Sequence, residues 1–308
     1  MERNLPRRAA LQCMLWAGSA VVWTVSGGIP RSRLIGDAEA STGDFRFAQI
    51  SDSHIGFSHD PNTDTPATLQ AGIDMVKAMP DRPALLLHTG DVSHLSKNAE
   101  FDTASQIIAA AGVETHYVPG EHDVLVDGAA PFIERFQRGA KQGAAGGAFY
   151  SFDAGGVHFV GLNNVTDLKS GGLGQLGEAQ IAWLTDDLRG RSASEPVVVF
   201  AHIPLWTVYE PWGWGTDDAG RALALLKRFG SVTVLNGHIH QVLQKVEGNV
   251  AFHTARSLAF PQPAPGAAPS PGPMKVEPGR LRSMLGVASV TVVPTHTQLA
   301  IVDTPLVG

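Results

Sequence analysis

Short apolar runs that stop abruptly in Asp, His or Glu recur along the chain. Ile50-Ser51-Asp52-Ser53-His54, Leu87-His88-Thr89-Gly90-Asp91, Val118-Pro119-Gly120-Glu121-His122-Asp123, Phe200-Ala201-His202 and Leu235-Asn236-Gly237-His238-Ile239-His240 share this form. Phe45 to Ile50 alternates and Thr115 to Val118 reads as a strand breaking at Pro119-Gly120, whereas Ala84 to Leu87, Val197 to Phe200 and Val232 to Asn236 are apolar runs of buried-strand type. Between them, Leu69, Ile73, Val76 and Met79 recur at helical spacing after a polar turn over His59 to Pro66, and Pro80 stops that helix. Phe101, Ala104, Ile108 and Ala111 mark a second helix ending at Gly112. The order strand, helix, strand, helix, strand is the α/β signature.

The middle of the chain changes character. Gly139 to Gly147 reads as a loop, and Phe149 to Asp153 with Val157 to Leu162 reads as a hairpin around Ala154-Gly155-Gly156. After a glycine-rich loop, Asn163 to Gly177, the spacing of Leu176, Ile181, Leu184 and Leu188 predicts a helix, as does that of Ala219, Leu223, Leu226 and Phe229. Gln241 to Glu247 and Val250 to Thr254 predict a hairpin turning at Gly248-Asn249. Val287 to Val293 and Gln298 to Val302 predict two further strands. Pro261 to Pro278, rich in Pro, Gly and Ala, is expected to be a mobile surface loop.

With 308 residues the chain suits one large domain or two smaller ones. Its formal net charge of −6, with no basic stripe, argues against nucleic acid as a partner. The only cysteine, Cys13, lies in the N-terminal segment, so a metal in the remainder has only N and O donors to bind. That segment reads as an export signal over residues 1–40. Arg3, Arg7 and Arg8 precede an apolar stretch, Leu11 to Val25, that is shorter than the roughly 20 residues a membrane-spanning helix needs. Arg7-Arg8 with Leu11 resembles a twin-arginine signal, with Ala10 and Gln12 off the usual pattern, and Ala38-Glu39-Ala40 offers a cleavage site. The expectation is a periplasmic or extracellular protein, residues 41–308 forming its domain, with no membrane span once the signal is removed.

A His-x-His pair such as His238 and His240 carries little weight alone. Five strand ends loaded with such groups carry more, because ligands of an open α/β sheet bind beyond the carboxyl ends of its strands. The donors outnumber what one tetrahedral ion accepts and suit two ions about 3.5–4 Å apart, bridged by a carboxylate.

The order Asp52-Ser53-His54, Gly90-Asp91, Gly120-Glu121-His122-Asp123, Ala201-His202, Gly237-His238-Ile239-His240 resembles the calcineurin-like metallophosphoesterases over residues 45 to 255. The resemblance implies a four-layer α/β/β/α sandwich of two mixed sheets. It implies two metal ions, drawn from Fe, Mn or Zn, and a small-molecule phosphoester substrate. Asp52, His54 and His240 would hold the first metal, Glu121, His202 and His238 the second, and Asp91 would bridge them. A metal-bridging hydroxide would be the nucleophile. His122 would be the acid for the leaving oxygen, with Asp123 holding its ring and raising its pKa.

The family usually has Asn where this chain has Glu121. That change adds a negative charge and removes a hydrogen-bond donor, which points to a phosphodiesterase. A phosphomonoesterase or nucleotidase, and a metal-bound protein without catalysis, stay open as alternatives. Among the other histidines, His94 stands three residues after Asp91, where purple acid phosphatases carry a metal-binding Tyr, and reads as a turn residue rather than a substrate contact. His88 and Ser53 read as loop-shaping. The Trp-rich segment Leu205 to Gly215 reads as packing before substrate lid.

Overall fold

The alternation of Phe45 to Ile50 sorts its side chains into two separate cores. In the computed structural model, Phe45 and Phe47 contribute to one apolar cluster and Ala48 and Ile50 to another. The described residues are 44–137, 148–293 and 299–306, with two strands before them, Val21–Ser26 (β1) and Ile29–Leu34 (β2), which pair antiparallel. The chain divides into two units, Met1–Asp44 and Phe45–Gly308. Much of the segment read as an export signal lies outside the described residues, as does the Gly139 to Gly147 loop. Among the described residues no helix is long and apolar enough to cross a membrane.

The second unit begins β3 (Phe45–Ile50), α1 (Thr65–Lys77), β4 (Leu85–His88), α2 (Asn98–Ala109), β5 (Glu114–Tyr117) and α3 (Ala130–Phe136). It continues β6 (Tyr150–Ala154), β7 (Val157–Gly161), α4 (Gly177–Leu188), β8 (Val197–Phe200), α5 (Ala219–Leu226) and β9 (Val232–Asn236). It closes with β10 (Gln244–Glu247), β11 (Val250–Thr254), α6 (Leu281–Met284), β12 (Gly286–Val292) and β13 (Ala300–Pro305).

These strands form two mixed sheets, ordered β10-β11-β9-β8-β7-β6 and β13-β12-β3-β4-β5. Strands β7, β8, β9 and β11 run parallel to one another in the first, as do β3, β4 and β5 in the second, and β6, β10, β12 and β13 are antiparallel to the strands they pair with. Period-2 alternation then builds the layers. Leu85 and Leu87 of β4 and Val198 and Phe200 of β8 meet in the core between the sheets, around Phe47 and Phe159. Their alternate neighbours point outward. Leu86 joins Leu69 and Ile73 of α1 and Phe101 and Ile108 of α2, and Val197 and Val199 join Ile181 and Leu184 of α4 and Ala222 and Leu226 of α5. The result is the expected α/β/β/α sandwich.

Three local details depart from the sequence reading. Helix α1 starts at Thr65, inside the stretch read as a turn, because Asp64 accepts a hydrogen bond from the Ala67 amide at 3.0 Å and Pro66 needs no partner in a first turn. Helices α3 and α6 are too short to carry a periodic signal. The Pro261 to Pro278 loop has no regular element, yet its start is tied down. Gln241 Nε2 donates to the carbonyls of Gln262 (3.0 Å) and Pro263 (2.7 Å), and Gln262 Nε2 donates to the His238 carbonyl (3.1 Å).

Candidate metal centre

Beyond β3, β4, β8 and β9 the backbone keeps pairing while leaving strand geometry. The Asp52 amide donates to the Gly90 carbonyl (3.0 Å), that of His54 to Asp91 (2.9 Å), and that of Gly237 to His202 (3.0 Å). Within these turns Asp52 (φ 53°), His54 (40°), Asp91 (53°), His238 (70°) and His240 (53°) take the left-handed conformation. Asp and His enter that region more readily than branched residues, yet each such residue still costs about 1–3 kcal/mol. The conformation reverses the side-chain direction and gathers the groups at one edge. Two glycines make room for them: a methyl group on Gly120 would fall onto the Asp91 carboxylate, and one on Gly237 onto Ser51 Oγ.

All seven residues expected to hold metal converge. Asp52 Oδ1 and His54 Nε2 lie 3.1 and 3.2 Å from His240 Nε2. Glu121 spans the other pair, Oε2 at 2.9 Å from His202 Nε2 and Oε1 at 2.9 Å from His238 Nδ1. Asp91 Oδ2 stands 3.4 Å from both His54 Nε2 and His202 Nε2, midway between the two groups, as a bridging carboxylate must. Its other oxygen accepts the His122 amide at 2.9 Å. Asp52, His54, Asp91, His202 and His240 are buried, while Glu121 and His238 keep 25% and 11% of their side-chain surface exposed, so the second group forms the open side.

The donor chemistry fits cations. His202 Nδ1 donates to the Thr89 carbonyl (2.7 Å) and His240 Nδ1 to that of Phe260 (2.5 Å), which leaves the Nε2 lone pair of each ring facing the cluster. Glu121 Oε2, His202 Nε2 and both ring nitrogens of His238 are buried without a hydrogen-bond partner, despite the 2.9 Å approaches. Carboxylate oxygens and imidazole nitrogens crowded together out of solvent call for positive charge among them, which bound cations would supply. Two separate groups, Asp52-His54-His240 and Glu121-His202-His238, have the spacing to hold one ion each. The all-N/O set accepts Zn, Mn or Fe.

Electrostatics agrees with this assignment. Burial would raise the Asp52 pKa, but His240 and His202 bring it down to about 2. Burial likewise opposes ionisation of Glu121, and His238 and His202 overcome it, so its pKa falls well below the usual carboxylate range. Burial, then the neighbouring His122, His240 and His94 rings, hold the His54 pKa far down and keep that ring neutral and able to bind.

Beside the cluster, His122 places a ring nitrogen within 4.8 Å of donor atoms of Asp91 and Glu121. Burial lowers its pKa, but Asp91, Glu121 and the hydrogen bond to His94 outweigh that and raise it above the ordinary value. The expected grip of Asp123 on this ring is corrected here. His122 Nδ1 donates to the His94 carbonyl at 2.7 Å. Asp123 Oδ2 accepts the amides of Val92 and Gly120 (both 3.0 Å), and Oδ1 accepts the amide (2.8 Å) and hydroxyl (2.9 Å) of Ser93. A one-turn helix over Glu121–Asp123 swings consecutive side chains apart, so Asp123 fastens the Gly90 loop to the Gly120 loop from below. Its charge is only the last of the influences raising the His122 pKa.

His94 is also more than a turn residue. It is half-buried, stacks on His122 (4.8 Å between centroids, 16°), and brings Nδ1 to 3.4 Å from His54 Nδ1. No motif marked it, since its role runs through stacking and a main-chain carbonyl. His88 does shape the loop: it accepts the Gly90 amide at Nδ1 (3.3 Å), lies 3.0 Å from Ser53 Oγ through Nε2, and burial holds its pKa down at about 3. In the Trp-rich segment, Trp214 is buried and Trp206 packs on Phe252 (5.0 Å).

The description matching this chain among protein families is calcineurin-like phosphoesterase, over residues 45–242. The chain belongs to that family. Its members use a binuclear metal centre and hydrolyse phosphoesters, and the chain is accordingly a metal-dependent phosphoric ester hydrolase. It is 26% identical over 220 residues to a 3',5'-cyclic-nucleotide phosphodiesterase of Nostoc, covering 69% of this chain and 78% of that one. It is 27% identical over 227 residues to a serine/threonine-protein phosphatase of Danio rerio, covering 65% and 71%. A dimetal phosphatase structure from Danio rerio superposes with a TM-score of 0.62 at 15% identity, covering 84% of this chain and 98% of that one, which shows the shared fold.

Because Asp91 faces both groups, Asp91→Asn is expected to lower bound metal to about one ion per chain or fewer while far-UV circular dichroism stays that of the parent. Elemental analysis of the purified variant checks this. Full retention of both ions would refute the bridging role.

Proposed function

We propose that the chain is a phosphodiesterase acting outside the cytoplasm. The observation that carries the diester preference is the Glu121 carboxylate standing between His202 and His238. Two divalent ions bring four positive charges, against which Asp52, Asp91 and Glu121 set three, leaving a net +1 where a neutral Asn would leave +2. A centre of lower charge attracts a phosphomonoester dianion less, relative to a diester monoanion. Ionised Glu121 also has no N–H to offer a third phosphoryl oxygen. The similarity to a cyclic-nucleotide phosphodiesterase supports the same direction.

Bound at this edge, two divalent cations would draw charge from the phosphoryl oxygens and make a water ionise near neutral pH. The protein's part is placement and proton supply. Glu121 and His238, on the open side, meet the substrate first. His122 has its Nδ1 proton committed to the His94 carbonyl, so the proton it hands to the leaving alcohol sits on Nε2. Its raised pKa keeps more of the ring charged near neutral pH. After transfer the ring is neutral, still anchored through Nδ1, and takes up a proton from solvent.

Three measurements test this reading. With bis(4-nitrophenyl) phosphate and 4-nitrophenyl phosphate as substrates, Glu121→Asn is expected to shift kcat/KM about 10-fold or more toward the monoester, since one full charge near the phosphoryl group is removed. An unchanged ratio and unchanged metal retention would sink the diester argument. Replacing His122 with Ala should slow a diester with an alkyl leaving group by about 10²–10⁴-fold and a 4-nitrophenyl diester much less, because 4-nitrophenolate leaves without a proton. Equal losses on both would remove His122 as the acid. For location, the full chain carrying Arg7→Lys and Arg8→Lys should stay in the cytoplasm of a bacterial host that exports the parent, as read by cell fractionation. Export of both forms alike would remove the twin-arginine reading.

A further inference from the structure

Each histidine that presents Nε2 to the cluster must lock its Nδ1 proton elsewhere, or the ring turns and the wrong tautomer competes. His202 uses the Thr89 carbonyl and His240 the Phe260 carbonyl. His54 is different. Its Nε2 faces His240 Nε2 and Asp91 Oδ2, and its Nδ1 meets another imidazole, Nδ1 of His94, at 3.4 Å. The same residue's carbonyl takes the Nδ1 proton of His122 at 2.7 Å, and its ring lies nearly parallel to the His122 ring. Phe57 closes the far side of His94, edge-on at 5.3 Å, and the His94 amide donates to the Ile55 carbonyl at 2.9 Å, so the residue is fixed at both ring and backbone.

We infer that His94 is a positioning residue that sets the tautomers of both halves of the site. Its Nδ1 lone pair accepts the His54 Nδ1–H and aims Nε2 of His54 at the first ion, while its carbonyl holds His122 for proton delivery. This requires the Nε2–H tautomer of His94. It also couples the two roles mechanically, because a turn of the His94 ring would loosen a metal ligand and withdraw the support stacked against the acid. The inference rests on the metal-centre reading and is independent of substrate preference.

The test compares His94→Phe, which keeps a flat ring against His122 but lacks the acceptor, with His94→Asn, whose amide oxygen reaches about where Nδ1 stood. Zinc affinity by chelator competition and histidine ¹⁵N spectra of the zinc-loaded full chain are measured for parent and variants. The expected result is about 10-fold weaker binding of the first ion in the Phe variant, with an altered His54 Nδ1–H signal, and recovery of both in the Asn variant. Parental affinity and an unchanged His54 signal in the Phe variant would overturn the inference. So would equal weakening in both variants, which assigns the effect to packing. A parent chain that binds fewer than two zinc ions would instead defeat the metal-centre reading, a separate failure visible before any variant is made.

Discussion

One carboxylate oxygen has to stand between two rings carried by different sheets. Asp91 Oδ2 is 3.4 Å from His54, which follows β3 of one sheet, and 3.4 Å from His202, which follows β8 of the other. Each prospective metal group likewise draws on both sheets: Asp52 and His54 with His240, and Glu121 with His202 and His238. The spacing of the sheets is therefore the spacing of the centre. It is set by the aromatic packing between them, where Phe47 meets Phe159 edge-on at 5.2 Å and Phe152 lies flat on Phe159 at 4.9 Å. Close-packed rings of this kind act as a spacer between the sheets that carry the donors.

Aiming the donors strains the backbone. Five of the seven prospective ligands lie in the left-handed region, and at about 1–3 kcal/mol each the site is a net destabilising element that the layered cores must offset. The strain is held by pairing that continues past the strands and by Asp123, which binds three amides and a hydroxyl from two loops. Burial and the Asp91 charge push the Asp123 pKa up to about 7 against those donors. A carboxylate used in this way secures loops first and tunes a neighbouring acid only weakly.

This division of labour explains what could be read from the chain beforehand. The strands were legible because burial on both faces demands apolar runs, and the ligand set because each run ends in a donor at the same sheet edge. Helices α1, α2, α4 and α5 were legible through their spacing. Helices α3 and α6 were not, being too short for a period to emerge. The hold of Asp123 on the His122 ring, which the family resemblance implied, is not found because a helical turn places consecutive side chains on different faces. His94 was underestimated for a related reason. Its contact with His122 Nδ1 is made by a carbonyl, which every residue possesses and no residue type announces.

The departure from the family pattern and the unannounced residue lie on the same side of the centre. The first group, Asp52, His54 and His240, is buried and closed, whereas Glu121, His238, His122 and His94 all retain some exposure. Glu121 and His94 therefore both lie on the open side of the centre. Under the proposed diester preference, a carboxylate at that mouth would make the approach less favourable for a doubly charged phosphate. In the same proposal His122, stacked on His94, would supply the proton for the leaving group. On that proposal selectivity would follow from charge at the entrance, and the buried group behind it would only have to keep its ion.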